Sequence, residues 1–241
     1  MANQNRIDEM LSKKSNADEA SIFERLKSLS ELEEFYTEIL SDDFSEDENT
    51  LESISNNAHV IYEATLYPIV GLVACIEGFF RLKVKQLIDS SAFYKQNAKK
   101  LDVTLSLKTT IDLEINNLTI GDFVAHVVRL NNLNDIKSTF SILLDEDFIK
   151  LFSEWKDKLD TQIDLFSGTD METTPRHKFN WLMKSLNDLY VKRNKICHES
   201  YVPVGYDFET EYLCFSRHVI EFISVCDEML SFHVKTNSLS K

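Results

Sequence analysis

Glycine and proline, the residues that most often bend a chain, are scarce in this sequence: 5 glycines and 3 prolines occur among 241 residues. Sheet proteins need many tight turns, and those turns depend on these two residues for their backbone geometry. The shortage therefore argues against a sheet-and-turn protein. Hydrophobic residues make up 43% of the chain and include 16 phenylalanines, which favours an all-α bundle of long helices joined by short connections.

Cysteine pairs at short spacing are also missing. Cys75, Cys197, Cys214 and Cys226 are scattered and form no CxxC motif, so a reduced, cytoplasmic protein is expected. No run of about 18 apolar residues is available to span a bilayer, and the N-terminal residues do not resemble a signal peptide. We therefore expect no membrane association.

The sequence contains none of the common cofactor motifs. A P-loop, a dinucleotide-binding glycine motif and an HExxH motif are all absent, so nucleotide hydrolysis and zinc proteolysis have no support. His59 and Glu63 are four residues apart and could contribute to a metal site. No third ligand is evident, however, and a pair of surface residues is the simpler interpretation. We expect neither a metal nor an organic cofactor.

The net charge of −14 is unevenly distributed. Residues 1–76 carry a net charge of −11, whereas residues 78–100 and 175–198 each contain six basic side chains and one acidic side chain. An acidic surface repels phosphate at long range, but two basic windows in an acidic chain leave nucleic-acid binding open. Either window alone would indicate only an ordinary solvated helix face.

Charge and apolar spacing divide the chain into two predicted parts. Residues 1–48 form an acidic N-terminal extension with one helix, from about Asp18 to Leu40, followed by a charged linker. Residues 49–241 form a helical domain. The extension is either an appendage on that domain or a cover over its basic surface, and the sequence does not decide between them.

The domain is expected to begin with a long helix from about residue 50 to Asp89. Pro68 should kink or interrupt this helix. The segment Val70–Phe80 is apolar almost all round, so it should be buried on two sides, in a bundle centre or against another subunit. Gly71 and Gly78 in this segment would let another helix approach closely.

The middle of the chain, about residues 90–170, is a predicted insertion. Apolar and polar residues alternate between 90 and 118, which indicates a small hairpin or an extended loop. Thr119 or Asn117 should cap the next helix, and Asp145 should cap a later one. The remaining helices are expected at about 119–130, 134–144, 145–159, 175–198 and from 208 onward, with a loop over 160–173.

The stretch Tyr190–Glu199 places Arg193, Asn194 and His198 at the end of a long amphipathic helix. At about 100° per residue, Arg193 falls near the middle of the apolar stripe, while Asn194 and His198 share one edge of it. An arginine at a core-facing position is costly unless it is paired or binds an anion, and a histidine titrates near neutral pH. Together they suggest a site for a phosphate. Glu77, the one charge in its apolar segment, either pairs with Arg193 or reaches solvent.

The residues Arg193–His198 resemble the R(N/D/H)xxxH signature of HEPN domains, of the RiboL-PSP type or a related antiviral or toxin branch. The segment Leu72–Arg81 resembles the helix of several HEPN subfamilies in which an apolar run precedes a glutamate, an aromatic and a basic residue. The resemblance covers about residues 50–235. It implies a HEPN-like bundle that dimerises, with two copies of the motif across a shared cleft. It also implies a metal-independent endoribonuclease, with RNA as substrate and an antitoxin or other regulatory protein as a further partner.

The residues of the motif suit that chemistry. The 2′-hydroxyl of RNA attacks the adjacent phosphorus and leaves a 2′,3′-cyclic phosphate, while His198 moves protons and Arg193 stabilises charge on the phosphoryl oxygens. Asn194 would orient the histidine or the phosphate, and Lys192 and Lys195 would attract the RNA backbone. DNA lacks the 2′-hydroxyl and would not be cut.

A second interpretation needs no catalysis. Asn194 can simply end the helix, and His198 can be a surface residue in a turn. The chain would then be an inactive HEPN domain, a helical protein-interaction module in which Arg193 and Glu77 form a structural anchor. A thiol nucleophile at Cys197 is not expected, because neighbours on a helix point about 100° apart, and Cys197 should be packed.

Overall fold

A computed structural model of the chain describes residues 20–29, 58–167, 175–199 and 208–239. Regular structure in these residues is entirely helical, which confirms the all-α fold, and no helix among them is both long and apolar enough to cross a membrane. The helices are α1 (residues 20–29), α2 (Ala58–Ser90), α3 (Ala92–Ala98), α4 (Leu107–Ile115), α5 (Ile120–Val127), α6 (Leu133–Leu144), α7 (Phe148–Ser167), α8 (Pro175–His198) and α9 (Phe208–Leu239).

Helix α2 is the centre of the bundle, because it contacts α3, α5, α6, α8 and α9. Its Phe80 is fully buried and meets the rings of Phe140, Phe148 and Phe222 at centroid distances of 5.0, 6.1 and 5.5 Å. Such aromatic pairs add to the stability that apolar burial provides. The prediction that this apolar segment forms a bundle centre is confirmed. The interruption expected at Pro68 does not occur, since α2 continues through it.

Helix α1 packs against α2. Ile22, Leu26 and Leu29 belong to the same hydrophobic core as the buried face of α2. A Cβ atom at Gly71 would lie 3.0 Å from Leu29 Cδ2, so the missing side chain at this glycine lets α1 approach closely, as predicted. The Tyr212 hydroxyl of α9 also donates a hydrogen bond to the Leu29 carbonyl. The described part of the N-terminal region is therefore packed into the bundle.

Helix α5 is held at both ends by side chains of α2. At its N-terminus, the Asp89 carboxylate accepts hydrogen bonds from Thr119 Oγ1 at 2.7 Å and from the Gly121 amide at 3.2 Å. At its C-terminus, Arg81 Nη1 donates to the Ala125 carbonyl at 2.6 Å. A negative charge therefore lies at the positive end of the helix dipole and a positive charge at its negative end, which stabilises the short helix.

The hairpin or extended loop expected between residues 90 and 118 is wrong, because α3 and α4 occupy most of this region. Ser106 explains the start of α4: its side chain accepts a hydrogen bond from the Thr109 amide at 3.1 Å, as an N-cap does. The alternation that suggested a strand continues past this cap into α4, where Leu107, Ile111 and Ile115 are exposed and Leu113 is buried.

The predicted cap at Asp145 is also wrong. Asp145 instead ends α6 with a positive φ of 57°, and the Asp147 carboxylate accepts a hydrogen bond from the Lys150 amide at 3.0 Å beside the start of α7. Helix α7 then continues to Ser167, into the predicted loop. In contrast, Thr119 is confirmed as a cap, and it forms a reciprocal capping box with the residue three positions on.

Several predictions lie outside the described residues. They concern the end of the first helix at Leu40, the charged linker that follows it and the boundary between residues 48 and 49. The boundary therefore stays a prediction. The start of α8 at Pro175 is confirmed.

The close contact between α2 and α5 depends on Gly121. A Cβ atom there would lie 2.7 Å from the Lys85 carbonyl oxygen and 2.7 Å from the Asp89 carboxyl carbon. We expect Gly121→Ala to force the helices apart and to lower the free energy of unfolding by about 1–3 kcal/mol. Gly78→Ala is the matched control, because its Cβ would lie 4.0 Å from Ile22 Cδ1 and alanine is favoured in a helix by about 0.5–1 kcal/mol. Urea denaturation measures both, and equal effects would contradict the prediction.

Candidate functional site

Glu77 of α2 and Arg193 of α8 are 116 residues apart in sequence and meet in the structure. Arg193 Nη2 lies 3.1 Å from Glu77 Oε1, and the two side chains are 25% and 20% exposed. Of the two alternatives that the sequence left open for Glu77, the structure therefore has the pairing with Arg193. A partly buried ion pair of this kind needs both members, because removing one leaves the other charge in a poorly solvated place.

Arg193 reaches Glu77 because it continues the buried face of α8. Leu182, Leu186 and Leu189 are fully buried on that face, and Arg193 follows them after four more residues, about one helical turn. Its position near the end of the helix leaves the guanidinium partly open to solvent. The predicted core-facing position of this arginine is confirmed.

Asn194 extends the group toward the solvent-exposed edge of α8. Arg193 Nη1 donates a hydrogen bond to Asn194 Oδ1 at 3.0 Å, so one guanidinium joins Glu77 on one side to Asn194 on the other. Asn194 and His198 are both exposed and, four residues apart, lie on the same edge of the helix. The three motif residues therefore form a chain of neighbours in which Asn194 is the middle member.

His198 itself points away from Arg193. Helix α8 includes His198, and five steps along a helix rotate a side chain by about 500°, which leaves the two groups about 140° apart. Arg193 faces the bundle while His198 faces solvent, and no hydrogen bond or ion pair joins them within the described residues. A single chain thus brings Arg193 to Asn194 and Glu77, but it does not bring His198 to Arg193.

Arg81 and Tyr190 also lie near the Glu77–Arg193 pair, although neither was predicted as a site residue. Burial raises the pKa of Glu77, and the nearby guanidiniums of Arg193 and of Arg81, one turn away on α2, offset part of that rise. Burial and the charge of Glu77 also raise the pKa of Tyr190, whose hydroxyl is buried without a hydrogen-bond partner in the described part of the chain. The four-residue spacing of Glu77 and Arg81 was a signal that could have identified the second arginine.

The two supporting lysines have different surroundings. Lys192 Nζ forms a salt bridge with Glu211 of α9, so this lysine joins two helices. Lys195 is exposed and remains available to a polyanion. Cys197 is exposed as well, so the expectation that it is packed is wrong.

Among the residues described, no group of three or more histidine, cysteine, aspartate or glutamate side chains could hold a metal ion. The side chains of His59 and Glu63 lie outside that description. Comparison with protein-family models, with curated proteins and with solved structures found no match to this chain. The case for a family therefore depends on the motif residues and their geometry.

The environment of Glu77 predicts a specific pH dependence. Its pKa is raised by burial, so the folded protein holds the proton more tightly than the unfolded chain does. The contribution of Glu77 to stability is then largest below the ordinary pKa of the carboxyl group and is lost as pH rises through the raised value. We therefore compare the free energies of unfolding of the wild type and Glu77→Gln. The wild-type value minus the Glu77→Gln value should decrease as pH rises from the ordinary glutamate pKa through the raised one.

Urea denaturation at a series of pH values from about 4 to 7, which includes the ordinary glutamate pKa, measures this difference. Glu154→Gln is the control, because its carboxylate is more exposed and lies 3.9 Å from Lys150 Nζ on the same helix. The comparison with Glu154→Gln shows how much pH dependence the loss of a more exposed carboxylate produces. A wild-type advantage at Glu77 that grows with pH would contradict the prediction.

Proposed function

We propose that this protein is a metal-independent endoribonuclease of the HEPN type. The observation that supports the proposal most strongly is the contact between Glu77 and Arg193. These are charged residues of the two separate segments that carry the resemblance. A chance match to a short motif gives no reason for the second segment to lie beside it.

The proposed reaction uses RNA as the source of its own nucleophile. His198 takes the proton of a 2′-hydroxyl, the oxygen attacks the adjacent phosphorus, and the 5′-oxygen leaves with a proton from an acid in the site. The products are a 2′,3′-cyclic phosphate and a 5′-hydroxyl. Arg193 stabilises the additional negative charge on the phosphoryl oxygens, and Glu77 and Asn194 hold its guanidinium in place before the substrate arrives.

A second copy of the chain would complete this site. Arg193 and His198 project from different sides of α8. A phosphate bound to one chain can therefore contact Arg193 or His198 of that chain, but not both. A two-fold axis near the end of α8 would place His198 of one chain beside Arg193 of its partner. We therefore propose a homodimer with a shared cleft. A cytoplasmic toxin or antiviral effector, restrained by an antitoxin or other regulatory protein, is the role that this activity would serve.

Cleavage of RNA in the presence of EDTA tests the chemistry. We expect the wild type to cut a structured RNA and to leave 2′,3′-cyclic phosphate ends, and we expect His198→Ala to be slower by about 10²–10⁴-fold, the usual contribution of general acid–base catalysis. Cys197→Ser changes the neighbouring exposed residue and should cut at the wild-type rate. A 2′-deoxy substitution at the cleaved nucleotide should block the reaction. Cleavage that survives His198→Ala, or that requires a metal, would rule out the mechanism.

Mixing two inactive variants tests whether the cleft is shared. Arg193→Ala and His198→Ala homodimers should each be inactive, but coexpression forms heterodimers with one intact site composed of His198 from one chain and Arg193 from the other. Half of the dimers are then mixed and have one working site of two, so about a quarter of the wild-type activity is expected for a symmetric dimer. If each site belongs to a single chain, coexpression restores nothing.

A specific feature favours one alternative. Both Nη atoms of Arg193 already have protein partners, Glu77 and Asn194, as expected for a structural anchor in a non-catalytic helical module. This alternative predicts that the wild type leaves RNA intact and that Arg193→Ala affects only stability. The proposed nuclease predicts in addition that expression slows cell growth and that Arg193→Ala relieves the effect.

A further inference from the structure

Trp181 is one of two tryptophans in the chain, and it is 60% exposed on α8, the helix that carries Arg193 and His198. A tryptophan has a large apolar surface whose exposure to water is unfavourable, and such residues are enriched where proteins bind other molecules. Exposure alone does not identify a site, but the indole ring also contacts a buried histidine and lines a cavity.

The ring of Trp181 packs against a side chain of the neighbouring helix α9. It meets the imidazole of His218 with centroids 4.4 Å apart and ring planes at 87°. His218 is buried, and its Nδ1 lies 3.5 Å from Cys214 Sγ. Burial is the main cause that lowers the pKa of His218, so the ring supports the indole as a neutral group at neutral pH. Trp181 is thus an exposed aromatic side chain that contacts a buried ring.

A cavity of about 450 Å³ opens beside this indole, between α8 and α9. Ser185 lines it and is only 6% exposed, and its Oγ has no hydrogen-bond partner in the described residues. Buried hydroxyls are nearly always paired, so Ser185 Oγ is an unsatisfied polar atom in the wall of the cavity. Asp188 and Glu211 also line the cavity and supply carboxylate oxygens, which accept hydrogen bonds.

An exposed stripe on α8 connects the cavity to the proposed catalytic histidine. Its members are exposed and follow one another in alternating steps of three and four residues, the spacing of one helix face. The stripe is about 26 Å long from end to end at 1.5 Å per residue. It consists of Trp181, Lys184, Asp188, Val191, Lys195 and His198.

We propose that this stripe is the path of a single RNA strand, in which one base stacks on Trp181 and enters the adjacent cavity while the strand continues toward His198. The inference rests on the proposed function, to which it adds the residues that select the substrate. Aromatic stacking is the usual way in which proteins bind unpaired bases. Lys184 and Lys195 are placed to attract the phosphates between the two ends of the stripe.

The charge of α8 favours RNA over a protein as the molecule bound here. Residues 175–198 contain six basic side chains and one acidic side chain, in a chain whose net charge is −14. Two of the six basic side chains, Lys192 and Arg193, are paired with Glu211 and Glu77, whereas Lys184 and Lys195 are exposed on the stripe. Exposed cations beside an exposed aromatic ring suit a polyanion that carries bases.

The cavity also favours one kind of base. The carboxylate of Asp188 only accepts hydrogen bonds when ionised, and guanine offers two adjacent N–H donors on its pairing edge, N1–H and N2–H. Uracil has one such donor between two carbonyl groups. We therefore expect guanine to be preferred over uracil at this position, a few nucleotides from the cleaved bond.

Binding is measured apart from cleavage in a His198→Ala background, which cannot cut the RNA. Adding Trp155→Phe leaves Trp181 as the single tryptophan, because the chain has two. Short single-stranded RNA oligonucleotides of defined sequence should quench its fluorescence, with tighter binding for those that contain guanine than for oligouridine. Trp181→Ala in the His198→Ala background should weaken RNA binding by about 5- to 150-fold, the loss of one stacked base.

Two control variants separate the contributions. Tyr67→Ala removes another exposed aromatic side chain, 58% exposed on α2 and outside the stripe, and should leave RNA affinity unchanged. Asp188→Asn should reduce the preference for guanine while leaving oligouridine binding intact. Circular dichroism should show that each variant keeps the helical content of the parent protein.

The outcomes distinguish this inference from the nuclease proposal. If the wild type cleaves RNA but Trp181→Ala binds it as tightly as the parent, the base site is wrong and the nuclease stands. If RNA quenches Trp181 and Trp181→Ala weakens binding while no cleavage occurs, the base site stands without the nuclease. If Trp181→Ala leaves RNA binding intact and instead dissociates a dimer or a protein complex, the stripe is a protein interface and the inference is overturned.

Discussion

The ion pair between Glu77 and Arg193 is the constraint on which the proposed site depends. Arg193 lies on the face of α8 that otherwise carries buried leucines, so its charge must be met inside the bundle or near its surface. Glu77 is the acidic residue that α2 offers at this depth. The pair therefore fixes α8 relative to α2 in rotation and in register. That fixed rotation in turn decides which side of α8 faces solvent, and hence where Asn194 and His198 lie.

Charged side chains fix the positions of neighbouring helices along much of α2. Many of its apolar residues are buried in the core, but apolar packing tolerates several arrangements of similar energy. Charged residues reduce that freedom, because each joins α2 to a particular helix. Arg81 and Asp89 bind the two ends of α5, Glu77 binds α8, and Lys83 pairs with Asp227 of α9. Each pair contributes little net energy after desolvation. Together they specify which helix lies where.

Most of the helices were predictable from the sequence because the signals that indicate a helix are local. They are the spacing of apolar residues and caps such as Thr119. The failures were local too: Ser106 begins a helix within a strand-like alternation, and Asp145 takes a left-handed conformation that ends one helix instead of starting the next. The Glu77–Arg193 pair was one of two alternatives that the sequence left open, because a lone charge in an apolar segment either finds a partner or reaches solvent. The pairing of Lys192 with Glu211 was not, because it depends on the distance between α8 and α9.

The angle between Arg193 and His198 has a consequence for regulation under the proposed function. A site that one chain cannot complete is active only where two chains meet, so its activity rises with concentration and falls with anything that competes for the interface. The sequence outside its two basic windows is also strongly acidic, and acidic residues repel RNA at long range. Access and assembly would thus both be controlled without any change inside the bundle. A restraining partner would need only to cover the end of α8.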